Sequence, residues 1–239
     1  MSDIALTRAQ GCLLGLAAGD ALGMPAQTLP RETIVQRYGR ITGFVPPFEG
    51  HPVSHGLAAG QITDDTEQTL LLAQRLLRDP DGFDAVGWAQ DLLDWEADVR
   101  AKGLADLLGP SSKAAIAALL DGTRPEETGL NGTTNGAAMR IAPVGLSTPP
   151  EVPLLVARVV QTCRVTHNTG EAIAAASAVA MMISCGIAGM TFADALPRAV
   201  DAARAGQQAG HPKGEPDMAG RILRAVELAR TGEDALVTG

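Results

Sequence analysis

Residues 172–192 run for about 20 positions without one charged side chain, long enough to cross a bilayer as a helix. This stretch constrains the fold more than any other, because it must be hidden in lipid or inside protein. It consists mostly of Ala, Ser, Gly and Met, with few Leu or Phe, and is preceded by His167, Asn168 and Glu171 instead of aromatic or basic anchors. A helix that is apolar all round belongs in the core of a larger protein, so a buried central helix is expected and no membrane partner. Aromatic residues are only 3% of the chain. A core of Ala, Leu, Val and Ile suits closely packed helices better than strands.

Helical patterns dominate elsewhere too, separated by Gly/Pro punctuation such as Pro46-Pro47, Gly109-Pro110 and Pro149-Pro150. There is no alternation of strand and helix patterns. The prediction is an all-α protein of six to eight helices, one domain over residues 1–239, with a long surface loop at 31–60. The net charge of −8 speaks against nucleic acid as a partner. Cys12, Cys163 and Cys185 lack metal-type spacing and sit in apolar or mixed segments, as buried thiols of a reducing, cytoplasmic compartment do. Residues 1–6 lack the basic-then-apolar order of a secretory signal.

Gly11, Gly15, Gly19 and Gly23 fall four apart in the first helical pattern. Four helical glycines cost about 1 kcal/mol each relative to Ala, and close approach of another helix backbone is the expected compensation. Asp20 stands beside this stripe near the helix end, where a carboxylate opposes the dipole poorly. Solvation or pairing with an arginine is the plain alternative to a functional role.

Thr63-Asp64-Asp65-Thr66 leads directly into an amphipathic helical pattern. Asp64 as a cap, with Glu67 in capping-box position, accounts for one acid. Two adjacent carboxylates between two hydroxyls are also the hard-oxygen set that Mg²⁺ or Mn²⁺ takes. The residues themselves leave cap and metal evenly weighed. Asn131 to Arg140 form a small-residue, Gly-containing segment with a helix start at Asn135, where the Gly136 and Ala137 amides could meet a phosphate oxygen or Asn135 could simply cap. His167 precedes another start; a structural residue, a phosphate donor and a base are all open to it.

In this order, Gly19-Asp20-Ala21-Leu22-Gly23, Thr63-Asp64-Asp65-Thr66, Asn135-Gly136-Ala137-Ala138-Met139-Arg140 and Thr166-His167 resemble the ADP-ribosylglycohydrolase family, over nearly the whole chain. The resemblance implies an orthogonal bundle of helices around a cleft with two Mg²⁺ or Mn²⁺ ions. It implies hydrolysis of the glycosidic bond of an ADP-ribosyl group, on a protein side chain or a smaller N-riboside. It makes Thr63, Asp64 and Asp65 metal ligands and Asp64 and Asp65 catalytic. Asn135, Gly136, Ala137, Met139 and His167 would meet the substrate, and Asp20 would support the centre. Loops at 38–60 and 95–109 would select the leaving group.

Two departures accompany the resemblance. Gln27 stands where many members carry an acid, and an amide cannot act as a base. The family's Asp-x-Asp-Thr/Ser motif near the C-terminus has no counterpart: past Gly189, Glu215-Pro216-Asp217 is the one acid pair at that spacing. The expectation is a C-terminally short member with weak divalent-cation binding. A member that binds ADP-ribose without turnover, or serves a structural role, is the alternative.

Overall fold

The computed structural model describes residues 3–80, 82–103, 109–214 and 216–232. Among them are twelve α-helices and no named strand, as the composition predicts. The charge-free run forms α10 (Gly170–Ile187) at the centre of the core. Thr169 caps it by accepting a hydrogen bond from the Ala172 amide. Its Ala172, Ala176 and Ala180 faces are buried, and it packs against α7 (Gly136–Met139), α8 (Ala142–Ser147), α9 (Val152–Cys163) and α11 (Phe192–Ala209). Small residues decide how near the partners come. A methyl at Gly206 of α11 would lie 2.6 Å from Ser177 Oγ and 2.9 Å from the Ile173 carbonyl oxygen, so α10 and α11 touch backbone to backbone there.

The remaining elements are α1 (Asp3–Gly23), α2 (Arg31–Tyr38), α3 (Asp64–Arg78), α4 (Ala85–Ala101), α5 (Pro110–Leu120), α6 (Pro125–Thr128) and α12 (Met218–Thr231). The count exceeds six to eight because α6, α7 and α8 are only four to six residues long, too short for a periodic pattern. The loop expected at 31–60 begins later: residues 31–38 contain neither Gly nor Pro and form α2, and the irregular stretch starts at Gly39. Trp95, expected in a loop, lies inside α4; residues 104–108 of that segment lie outside the described residues. Cys163 and Cys185 are buried free thiols, and Cys12 is half-buried.

The glycine stripe of α1 is not a close helix contact. A methyl at Gly11, Gly15, Gly19 or Gly23 would meet nothing within 4 Å, and Ala21 is the one buried residue of this helix. The compensation expected for these glycines is absent among the described residues. What α1 does supply is its C-terminal end, which stands against the start of α3.

Candidate active site

Thr63 is the N-cap of α3, its hydroxyl accepting from the Asp65 amide at 3.4 Å. The stronger cap comes from another helix. Asp20, at the end of α1, accepts from the Thr63 amide (2.8 Å), the Thr63 hydroxyl (2.7 Å), the Thr66 amide (3.2 Å) and the Thr66 hydroxyl (2.5 Å). A carboxylate misplaced for its own helix dipole is thus well placed for the next one. This overturns the expectation of a cap by Asp64 with Glu67: Asp64 is the first helical residue, and Glu67 instead accepts from Trp95 Nε1 at 2.8 Å. Asp64 and Asp65 are therefore relieved of capping.

Asp64 is 7% exposed. Burial, and then the adjacent Asp65, push its carboxyl up to about 7, with Asp20 and Glu67 adding to the effect. Burial and Asp20 push Asp65 up to about 6. Both shifts come first from burial and then from the neighbouring carboxylates, which disfavour the charged form.

These acids line a cleft of about 430 Å³. Asp20, Thr63, Asp64 and Asp65 line part of its wall, and Thr134, Asn135, Gly136 and Met139 line another part. The chain thereby unites the TDDT segment with the small-residue loop. Asn135 makes no capping bond with its side chain, which removes the plain reading of that residue. Ala137, expected to meet the substrate, is fully buried and is not among the cleft-lining residues.

His167 is placed differently from the expectation. It is fully buried behind the loop and is not among the cleft-lining residues. Its Nδ1 bonds Thr166 Oγ1 at 2.8 Å and its Nε2 bonds Thr134 Oγ1 at 2.9 Å. Burial, and then the Arg140 charge, lower its pKa to about 3, so the ring is neutral. Gly136 lies against this ring: a methyl there would sit 2.5 Å from Cε1. The imidazole supports the wall from behind.

A family model of ADP-ribosylglycohydrolase matches residues 1–238. The chain belongs to the ADP-ribosylglycohydrolase family. It is 39% identical over 185 residues to a protein of Archaeoglobus fulgidus, covering 77% of this chain and 57% of that one. It is 30% identical over 208 residues to the ADP-ribosylarginine hydrolase Tri1 of Pseudomonas putida, covering 84% and 52%. A solved structure described as an ADP-ribosylglycohydrolase-related protein complex superposes with a TM-score of 0.62 at 28% identity, covering 80% of this chain and 60% of that one. The chain thus spans between half and two thirds of the length of these relatives.

Within an ADP-ribosylglycohydrolase, the cleft's acids are the place to test for the divalent metals the family generally uses. Thr63, Asp64 and Asp65 are adjacent hard oxygen donors lining one cleft, a donor set suited to Mg²⁺ or Mn²⁺. Mg²⁺ commonly takes only one or two carboxylates and keeps several waters. Among the described residues no group of three or more His, Cys, Asp or Glu is placed to hold a metal ion. The acids past Gly189 serve elsewhere: Asp217 caps α12 through the Gly220 amide at 2.8 Å, and Asp194 and Asp201 bond Thr191 and Arg204. Glu215, Glu233 and Asp234 lie outside the described residues.

Gln27, the neutral substitute for an acid, lines the cleft. Ser54 Oγ donates to the Met24 carbonyl at 2.9 Å, so it can only accept from Gln27 Nε2, at 2.7 Å. That fixes the amide and leaves its oxygen as the available acceptor. His51 holds Ser54 in place, its Nδ1 accepting the Val53 and Ser54 amides. Next to Gln27, Thr28 has φ of 61°, the one non-glycine residue in the left-handed region among the described residues. A β-branched residue held there stores strain of about 1–3 kcal/mol. Sequence reasoning missed this Gln27–Ser54–His51 group and also the full burial of Arg140, which bonds Gln68 and Thr166. A lone arginine between Met139 and Ile141, in an apolar segment, was the available signal.

Proposed function

We propose that this ADP-ribosylglycohydrolase cleaves the glycosidic bond of an ADP-ribosyl group carried by a protein side chain or a small N-riboside, with the help of Mg²⁺ or Mn²⁺. The observation that carries the reading is the meeting, in one cleft, of the Thr63-Asp64-Asp65 wall with the Thr134-Asn135-Gly136 wall. Thr63, Asp64 and Asp65 hold the cation. When bound, a divalent cation orients ribose hydroxyls and lowers the pKa of a nearby water. Asp20 fixes the start of α3 and so the direction of the two acids. Asp65, the more open of the pair, takes the proton released as water bonds to the oxocarbenium-like anomeric carbon and returns it to the nitrogen or oxygen that departs when the glycosidic bond breaks. Asn135 and Met139, with the Gly136 amide, seat the diphosphate. A cytoplasmic location and a protein-linked substrate belong to the same reading; the relative named an ADP-ribosylarginine hydrolase supports the latter.

Incubation with an ADP-ribosylated arginine peptide tests this, with free ADP-ribose followed by chromatography. Release that requires Mg²⁺ or Mn²⁺ and is lost with chelator and with Asp64→Ala is the expected result. A second reading, binding without turnover, is favoured by the absence of a three-member acid cluster among the described residues. Calorimetric binding of ADP-ribose with no release at any Mg²⁺ or Mn²⁺ concentration would establish it. Neither binding nor release would overturn both.

A further inference from the structure

Behind the cleft wall lies a chain of hydrogen bonds whose direction can be counted out. Arg140 is fully buried and donates from one guanidinium nitrogen to Gln68 Oε1 at 2.6 Å and from the other to Thr166 Oγ1. Its guanidinium stacks over Trp88, 5.5 Å from the ring centroid. Arginine has no acceptor to offer, so it enters the network only as a donor. Thr166 is 1% exposed, and its hydroxyl has two partners, Arg140 and His167 Nδ1. One of these can only give a proton. The hydroxyl hydrogen of Thr166 must therefore go to His167 Nδ1, because otherwise a buried O–H would lack an acceptor.

That assignment settles the next link. With Nδ1 accepting, the neutral imidazole carries its hydrogen on Nε2 and donates it to Thr134 Oγ1. Thr134 then accepts from behind. Its own hydroxyl hydrogen has no acceptor among the described residues, and Thr134 lines the cleft. Each bond in such a series polarises the next.

We propose that Thr134 is an oriented hydrogen-bond donor to an anionic oxygen of the bound ligand, a diphosphate oxygen of the ADP-ribosyl group, and that Thr166 and His167 are positioning residues that pass the polarisation of buried Arg140 to it. The choice of ligand rests on the functional reading above; the direction of the chain does not. The one-way order also makes this point of the cleft select for acceptor atoms over donors. His167 is central to recognition without touching the ligand.

Two measurements on the whole chain test the two parts. A long-range ¹H–¹⁵N correlation spectrum, with the His167 signals assigned by their loss in His167→Gln, reads the tautomer without any ligand. The Nε2–H form supports the relay, and the Nδ1–H form overturns it. Calorimetry with ADP-ribose reads the donor. Thr134→Val removes the hydroxyl at constant shape and is expected to weaken binding about tenfold or more, the loss of one hydrogen bond to a charged group. Thr134→Ser keeps the hydroxyl and is expected to restore it. Thr166→Val, remote from the cleft, is expected to weaken binding in the single variant and to add little to Thr134→Val. Unchanged affinity in Thr134→Val overturns the donor role. A wild-type chain that shows the Nε2–H tautomer but does not bind ADP-ribose overturns the functional reading and the assigned ligand, while the relay stands.

Discussion

Replacing Gly136 by alanine tests whether the cleft wall is braced by His167. The new methyl would sit 2.5 Å from His167 Cε1 and 2.8 Å from Nε2, well inside ordinary van der Waals contact of about 3.5 Å. The ring would have to retreat by most of an ångström. It is fully buried and held on both sides, by Thr166 Oγ1 at 2.8 Å and Thr134 Oγ1 at 2.9 Å. A retreat of that size breaks at least one of these bonds, leaving a buried polar group unpaired at about 1–3 kcal/mol. Overpacking adds about 1–3 kcal/mol. The expected total is about 2–6 kcal/mol, read as a lower urea midpoint with an unchanged slope. Gly15→Ala is the control, because its methyl meets nothing within 4 Å in a helix interior; it is expected to stabilise by about 1 kcal/mol. Combining Gly136→Ala with His167→Ala removes the obstacle, so the pair should cost less than the sum of the singles. If Gly136→Ala stays within about 0.5 kcal/mol of the wild type, a change ordinary for an uninvolved surface site, His167 does not brace the wall.

Three further outcomes follow from the same geometry. Asp20→Ala strips the start of α3 of four accepted hydrogen bonds and should cost about 2–4 kcal/mol in chemical denaturation, a cap loss plus buried donors; a cost under about 0.5 kcal/mol would refute the capping role. His167, with its folded pKa lowered to about 3 from 6.5, binds fewer protons folded than unfolded between these values, so its contribution is present above pH 6.5 and is lost as pH falls toward 3. Between pH 7 and pH 4 the wild type should lose on the order of 3 kcal/mol more than His167→Gln; parallel curves would refute the neutral, buried ring. Addition of Mg²⁺ or Mn²⁺ at about a hundred times its dissociation constant should stabilise the chain by about 2.7 kcal/mol, and Asp64→Ala should abolish that shift in a thermal scan.

The sequence carries the all-α class because it rests on whole segments: the charge-free run of α10 and a nearly aromatic-free composition leave helix packing as the one economical solution. It carries the pairing of the TDDT segment with the Asn135 loop only through the resemblance, since nothing local to residues 63–66 or 135–140 says that they face each other. Element boundaries fail where pattern length fails, at α7 and α8. The capping assignment fails for another reason. Local spacing nominates Asp64 and Glu67, but the cap comes from Asp20, more than forty residues away, and Glu67 is drawn off by Trp95. A capping box is a statement about neighbours in sequence, and this helix start is held by a neighbour in space.

The same limit explains His167. From the chain alone, a histidine before a helix start can be structural, a donor or a base, because each role uses the same side chain at the same position. What separates them is the identity of the groups on its two ring nitrogens. Thr166 is adjacent in sequence, but Arg140 and Thr134 come from the opposite end of the short α7 segment and the loop before it. Only when Arg140, which can do nothing but donate, is seen to bond Thr166 does the buried hydroxyl acquire a direction and the imidazole a tautomer. The function of the motif residues is therefore divided by depth. Asp64, Asp65, Asn135 and Met139 line the cleft; His167 and Arg140 lie behind it, and Asp20 lines it while also holding the start of α3, so these three act on the site through their neighbours. A substitution in the first set should leave the fold intact and change the chemistry; one in the second set should change both.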